Sequence, residues 1–318
     1  MIFISAQPDH TYFFWQLEVQ LYNFKRLGID LSKVHQVFLS QVPMSEEYKA
    51  YKAAHPEVNI HFYHDSRKSK GYIPSQRPNA LKQYFAEFPH LENERIFYHD
   101  SDIIFRELPD FDKLTDENTW YLSDTNSYLN ADYIKSKGDT LLSEMANIVG
   151  VSVEKIEAIN KDSGGAQYLF NSGINALFWA KMEEDCETLY SFLENAIPRL
   201  TKEFAKKTGQ SEGSYHPLQN WTVDMWCLLW GGLIIGKKMK VVPEFNFSWA
   251  TGSKKDYESA PIFHNAGVTG NEANRLFYKG AYINKSPFGE DFSFVDKDSA
   301  SAMYVKEIEN CHKNLLCS

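Results

Sequence analysis

The chain has no CxxC pair, no long apolar run, no glycine-rich phosphate loop and no excess of basic residues. Each absence removes a class of protein. The four cysteines, Cys186, Cys227, Cys311 and Cys317, show no paired spacing, and Cys186 and Cys227 lie in apolar, helix-like stretches. They are expected as reduced thiols in a reducing compartment. The longest apolar run beyond the N-terminus, Trp226 to Ile235, falls far short of the ~20 residues of a membrane span. The opening run Met1 to Ser5 is too short and uncharged for a signal peptide, and Gln7-Pro8-Asp9-His10 ends it. A cytoplasmic protein without a membrane span is therefore expected. No GxGxxG opens a helix and no GxxxxGK[ST] occurs, which speaks against a nicotinamide dehydrogenase and a P-loop NTPase. Lys and Arg number 33 against 42 Asp and Glu, a net charge of −9, so general nucleic-acid binding is disfavoured. A small anion held by a metal and a few local cations remains compatible with that balance. No internal repeat or low-complexity linker appears.

What is present is a large core in prospect. Of 318 residues, 43% are hydrophobic and 15% aromatic, enough for one large α/β domain or two fused halves. Residues 1–5 form a first expected strand. Thr11 to Leu27 form a helix capped by Asp9 or Thr11 and stopped at Gly28. Val34 to Ser40 is a second strand, Ser45 to Ala54 a short helix with Glu46 and Glu47 in its first turn, and Val58 to Tyr63 a third strand. A helix with Pro78 in its first turn runs to about Phe88, and Arg95 to His99 is a fourth strand. This alternation predicts a parallel sheet with helices on both faces, whose ligand crevice lies outside the carboxyl ends of the strands. Beyond residue 125 the pattern loosens. Asp139 to Asn160 is expected as helix, Gln167 to Phe170 and Gly173 to Trp179 as short strands, Lys181 to Lys207 as one or two helices with a break near Pro198, and Leu218 to Leu233 as an apolar helix. Val241-Val242 and Pro261 to His264 are further strand candidates. The expected layout is one domain over 1–290, with a nucleotide-binding half (1–125) and an acceptor and sugar half (126–290), followed by a polar C-terminal extension (291–318).

The most informative stretch is Ile96-Phe97-Tyr98-His99-Asp100-Ser101-Asp102-Ile103-Ile104-Phe105, an acidic break between two β-prone runs. Side chains at i and i+2 of an extended segment point the same way, with Cα atoms roughly 6.6 Å apart. Asp100 and Asp102 would then face one space, where two carboxylates repel and resist desolvation. A divalent cation removes both problems, and oxygen ligands suit Mg2+ and Mn2+. The plainer alternative is that Asp100 caps a turn and Asp102 is solvated.

Four short matches, in this order along the chain, carry a family resemblance: His99-Asp100-Ser101-Asp102, Phe170-Asn171-Ser172-Gly173-Ile174, Thr222-Val223-Asp224-Met225 and Phe263-His264-Asn265-Ala266-Gly267. Together with the layout over residues 1–285, they resemble the GT-A fold glycosyltransferases, nearest to the family-8-type, metal-dependent nucleotide-sugar enzymes. The first match resembles the DxD metal motif. The Phe170 to Ile174 match is similar to the Phe-Asn-(Ser/Ala)-Gly segment beside the donor sugar, and the Thr222 to Met225 match resembles the helix that carries an acidic residue near the sugar. The fourth is similar to the His-x-x-Gly segment whose histidine is a further metal ligand. The chain departs from the family pattern in keeping only Asp224 of the usual Asp-Gln-Asp and in lacking the Lys-Pro-Trp that often follows the histidine. The resemblance implies a GT-A (nucleotide-diphospho-sugar transferase) fold with a Rossmann-like, mainly parallel central sheet. It implies a hexosyl- or pentosyltransferase using a nucleotide sugar, UDP-linked by preference, with a carbohydrate or glycoprotein acceptor and retention of anomeric configuration.

On that reading Asp102 and His264 are direct ligands of Mn2+ or Mg2+, and Asp100 binds the metal, the ribose or both. The histidine tilts the choice toward Mn2+; its plainer role is a core histidine bonded to a carbonyl. Gly164 and Gly165 let backbone approach a ligand. Gln167, Asn171, Ser172 and Gly173 offer polar contacts to sugar hydroxyls, or else form ordinary turns. Asp224 needs a partner or a task in its apolar helix, and either it or Asp162 would be the general base of an inverting enzyme. Asp224 and Asn171 are the expected catalytic residues. Arg77, entering the third helix, would pair with the diphosphate, Ser101 sits between the two aspartates, and Ser5-Ala6-Gln7 and Asp65 follow strands and would line the base and ribose pocket. Two rivals stay open. A sugar-nucleotide pyrophosphorylase should carry a glycine-rich loop after the first strand, where Ser5 to His10 has no glycine. A non-catalytic carbohydrate-binding protein would lack nucleotide and metal contacts.

Overall fold

The computed structural model describes residues 1–317. The strands are β1 (Ile2–Pro8), β2 (Val34–Ser40), β3 (Asn59–His64), β4 (Ile96–Tyr98), β5 (Ile103–Phe105), β6 (Thr119–Asp124), β7 (Gly164–Phe170), β8 (Lys238–Val241), β9 (Phe247–Trp249) and β10 (Ile262–His264). The helices are α1 (Thr11–Arg26), α2 (Glu46–Ala54), α3 (Gln76–Glu87), α4 (Asn126–Leu129), α5 (Ala131–Lys135), α6 (Leu141–Val149), α7 (Val153–Ala158), α8 (Ala176–Thr208), α9 (Val223–Ile234), α10 (Lys254–Ser259) and α11 (Ala300–Cys317). The mixed α/β class expected from the alternation is present. The chain forms two compact units. One comprises Met1–His64, Phe97–Thr115 and Val242 onward; the other comprises Asp65–Ile96 and Asp116–Val241. Among the described residues no helix is long and apolar enough to cross a membrane.

In the first unit, β1 pairs parallel with β2 from Phe3↔Val34 to Pro8↔Leu39, and β2 pairs parallel with β3 from His35↔Asn59 to Ser40↔His64. Strands β1 and β2 are covered along nearly their whole length, as strands in a parallel sheet buried on both faces are. His10, rather than Asp9 or Thr11, caps α1, its ring accepting from Tyr12 N. Gly28, in the left-handed region at φ 80°, stops that helix where expected. An aromatic core fills the space beneath the sheet, with Phe24 stacked on Phe105 at 5.1 Å and Phe3 edge-on to Phe97 at 5.8 Å. A smaller sheet, ordered β5-β10-β9, stands beside it. The polar extension expected after Glu290 contributes to the core. Phe292 and Val295 are buried, and α11 buries Ala300, Tyr304, Ile308 and Cys311 against Trp15, Val19 and Phe263. Those α11 residues recur at helical spacing, but lysines, glutamates and asparagines between them mask the stripe.

In the second unit, β6 lies between β7 and β8, antiparallel to the first and parallel to the second. The register of β6 on β7 shifts between Leu122 and Ser123. Several expected boundaries differ in the structure. Gly173 to Trp179 is no strand, because Asn175 accepts from Leu177 N and Phe178 N and starts α8. Asp139 to Asn160 is two helices, since Gly150 at φ 83° closes α6 and Ser152 caps α7. Helix α8 is one helix running through Pro198, held on either side by buried Leu193, Ala196 and Leu200. Helix α9 starts at Val223 rather than Leu218. Trp226 and Trp230 are fully buried in it, whereas Trp221 is exposed. Strands β6 and β9 were not anticipated.

Candidate functional site

Asp100 and Asp102 flank Ser101 in a four-residue turn from β4 to β5. Strand β10 runs antiparallel to β5 in a register that sets His264 opposite Ile103, the residue after Asp102. The ladder continues one step further, Asn265 N donating to the Asp102 carbonyl at 2.9 Å. This pairing carries the imidazole to the aspartates: His264 Nε2 lies 3.3 Å from Asp102 Oδ1 and 3.5 Å from Asp100 Oδ2. Trp249, opposite His264 on β9, stacks on the imidazole at 5.6 Å and 16° and fixes its plane. Asp102 and His264 are buried, and Asp100 is half-buried.

The donor set fits a divalent cation. One ligand atom from each of Asp100, Asp102 and His264 lies within 4.8 Å of the other two. Around an ion with bonds of ~2.1 Å, adjacent ligands of an octahedron stand about 3 Å apart and opposite ones about 4.2 Å. The observed spacings need little adjustment to close on an ion.

A second cation of the chain's own already touches the site. Lys279, in a short turn Lys279–Tyr282, donates to Asp102 Oδ2. Burial alone would push the Asp102 carboxyl up; the Lys279 ammonium and His264 overcome it and hold the carboxyl well below its usual range. The same pairing raises Lys279 against the opposing effect of burial.

Sequence reading missed Lys279 and a polar strap on α1. The signal for the strap was legible: Gln16, Gln20 and Asn23 fall on the otherwise apolar, buried stripe of a helix, where polar groups need partners. Gln20 Nε2 donates to the carbonyls of Asp100 at 3.0 Å and Ile103 at 3.2 Å. Asn23 bonds both backbone groups of Phe105, accepting from N at 2.9 Å and donating to O at 3.0 Å, and donates to Glu307 at 2.8 Å. Helix α1 thereby fixes the acidic turn from behind. Beside it His99 is neutral, burial having pushed its imidazole down to about 4. Asn23→Ala strands two buried backbone groups, and at 1–3 kcal/mol each the expected loss of stability is about 3 kcal/mol. Urea unfolding measures it; an unchanged midpoint would contradict the strap.

The other expected residues lie as follows. In the first unit, Ser5, Ala6 and Gln7 are buried within β1, and Gln7 Nε2 donates to the Val37 carbonyl at 3.3 Å. In the second unit, the covered side chain of half-buried Asp65 pairs with Arg67 through both oxygens, at 3.0 and 2.9 Å. Asp224 is buried in the first turn of α9, accepting from Tyr72 Oη at 2.8 Å and pairing with Arg77 at 3.3 Å. Asn171 accepts from Arg95 Nε and donates to the Asp116 carbonyl, both at 2.8 Å. Gln167 is fully buried and accepts from Ser123 Oγ. Asp162 accepts from Val241 N at 3.0 Å. Gly173, at φ 85°, donates to the Glu92 carbonyl, with Ser172 before it in the turn. The close approach that Gly165 permits is to Met225 and Tyr168.

No protein-family model and no curated protein sequence matches the chain. Solved structures similar to it are glycosyltransferases. The galactosyltransferase LgtC, in complex with donor and acceptor sugar analogs, is 12% identical at a TM-score of 0.43, over 98% of this chain and 96% of that one. Mouse xyloside xylosyltransferase 1 in its apo form is 12% identical at 0.37, over 83% and 98%. The bifunctional glycosyltransferase WbbM in its apo form is 10% identical at 0.42; the match covers 99% of this chain and 51% of WbbM, so the chain spans about half of that protein. At this level of overlap a functional reading has to stand on the side chains of the site.

Proposed function

We propose that this chain is a metal-dependent glycosyltransferase. It moves a sugar from a nucleotide sugar, UDP-linked by preference, to a hydroxyl of a carbohydrate or glycoprotein acceptor, with retention of configuration. One observation carries the reading: Asp100, Asp102 and His264, the last 162 residues beyond Asp102 in the sequence, offer ligand atoms to a single point.

Asp102 and His264 would hold Mn2+ or Mg2+ directly, and Asp100 the metal, the ribose or both. A bound cation would supply Lewis-acid stabilisation of the negative charge that grows on a departing nucleoside diphosphate. The residues contribute the rest by position. Trp249 holds the imidazole plane, Gln20 holds the acidic turn, and burial of Asp102 and His264 keeps bulk water from screening the charges. Ser5, Ala6 and Gln7 are proposed for the base and ribose. Among the described residues Ser5 Oγ and Gln7 Oε1 are buried without a hydrogen-bond partner, as groups awaiting a ligand would be. Asp224 and Asn171 as catalytic residues, and Asp65, Arg77, Ser101, Gly165, Gln167, Ser172 and Gly173 as donor contacts, are proposals that rest on the sequence pattern.

The test is a panel of nucleotide sugars, with and without Mn2+, scored by release of nucleoside diphosphate. Release from at least one donor, abolished by chelation and restored by Mn2+, is expected. Metal-independent release, or nucleotide binding with no turnover on any donor, would overturn the reading.

A further inference from the structure

Asp102 divides its two oxygens. Oδ1 faces His264 and the space shared with Asp100, while Oδ2 is taken by the Lys279 ammonium. That lysine is no wandering surface group. Its side chain is three-quarters covered, at 26% exposure, and its backbone is clamped. Phe277 and Tyr282, on either side of it in sequence, stack at 5.4 Å and 10°, and Trp15 Nε1 donates to the Tyr282 carbonyl at 3.2 Å. Tyr12, at the start of α1, faces the same ammonium. These contacts hold Lys279 against Asp102.

We infer that Lys279 is a built-in counter-cation that weakens the Asp100–Asp102–His264 site for a free divalent ion and makes tight cation binding depend on an anion arriving with it. The inference rests on the cation reading of the site given above. Two carboxylates and one ammonium leave a local charge of −1, too little to balance a divalent ion in a half-buried pocket. A polyphosphate anion restores the balance. By reciprocity the cation then strengthens the anion's binding by the same factor. Removing the ammonium returns the missing negative charge to the ligand set, so the bare cation should bind tighter and gain less from the anion.

The experiment titrates the full chain with Mn2+, reading free Mn2+ by electron paramagnetic resonance, alone and with saturating UDP. It compares wild type with Lys279→Met and Lys279→Arg. Lys279→Met should bind Mn2+ alone about tenfold tighter, and UDP should enhance its Mn2+ affinity less than it enhances the wild type's. Lys279→Arg, which keeps the charge, should stay within about twofold of wild type. A lysine that merely filled space would leave the two substitutions alike. Affinity that is unchanged or weaker in Lys279→Met, with a native circular dichroism spectrum, overturns the inference while leaving the metal site standing. Should Lys279→Met lose its native spectrum, Lys279→Gln replaces it under the same criteria. Saturable Mn2+ binding by none of the proteins, with or without UDP, overturns the cation reading and this inference with it.

Discussion

Asp102→Asn will lower cation-stimulated sugar transfer by about a thousandfold. A unit charge ~4 Å from a charged partner, at an effective dielectric near 20, is worth about 4 kcal/mol, and each ~1.4 kcal/mol is a decade of rate. The substitution is nearly isosteric, so the turn between β4 and β5 keeps its shape, but it also unpairs Lys279. A drop in melting temperature should therefore accompany the loss of activity. His264→Ala separates the two effects. It leaves the Lys279–Asp102 pair and the Asn265 N to Asp102 carbonyl bond in place, and removes the imidazole and its stacking on Trp249. The expected outcome is a loss of about a hundredfold, with stability falling by only about 1 kcal/mol and partial recovery at high Mn2+. Nucleoside diphosphate release and thermal unfolding measure both quantities. Normal turnover by either variant after treatment with a chelator would remove the cation from the chemistry.

The acidic pair was legible because its signal is local. A strand, a break and a strand stand within eleven residues, Arg95 to Phe105, although the two aspartates meet through the turn between β4 and β5 and not through the two-residue period of an extended chain. His264 was legible only as the end of a short strand and through family likeness. What makes it a partner of Asp102 is the antiparallel register of β10 on β5, a pairing across some 160 residues that no local pattern encodes. Lys279 left still less trace, one lysine in a turn among many on the chain. Its meaning comes from Phe277 and Tyr282 gripping the backbone around it. The same division holds for the fold. The β1 to α3 alternation was readable because short β-prone runs and helical runs follow one another with local stop signals such as Gly28 and first-turn residues such as Glu46, Glu47 and Pro78. In the second half, the helix starts at Asn175 and Ser152 depended on single capping side chains inside apolar or helix-like runs, and there the apolar pattern alone misplaced the boundaries. Helix α11 shows the converse: a polar composition hides an apolar stripe that only its burial reveals.

Gly164→Ala will destabilise the chain by about 3 kcal/mol, far more than one methyl group costs on most surfaces. A Cβ built on Gly164 lies 2.4 Å from the Ser123 carbonyl oxygen, and 2.9 Å from both Leu122 Cβ and Val241 Cγ2. The first of these is backbone and cannot swing away. Strand β6 is pinned on both edges by β7 and β8, and the crowding falls where its register on β7 shifts. Two residues on, Ala166 already sits at a positive φ of 63°, so the bulge has little freedom left to absorb a displacement. Gly28→Ala provides the comparison. Gly28 has a positive φ of 80° but open space around its would-be Cβ, so conformational strain alone should cost about 1 kcal/mol. Urea midpoints of the two variants measure the difference. The pair also decides what the Gly164-Gly165 dipeptide is for. If the glycines serve strand packing, Gly164→Ala loses stability, and the fraction that remains folded transfers sugar at the wild-type rate. If they make room for a ligand, the midpoint stays near wild type and turnover falls instead. The 2.4 Å contact with a backbone oxygen favours the first outcome.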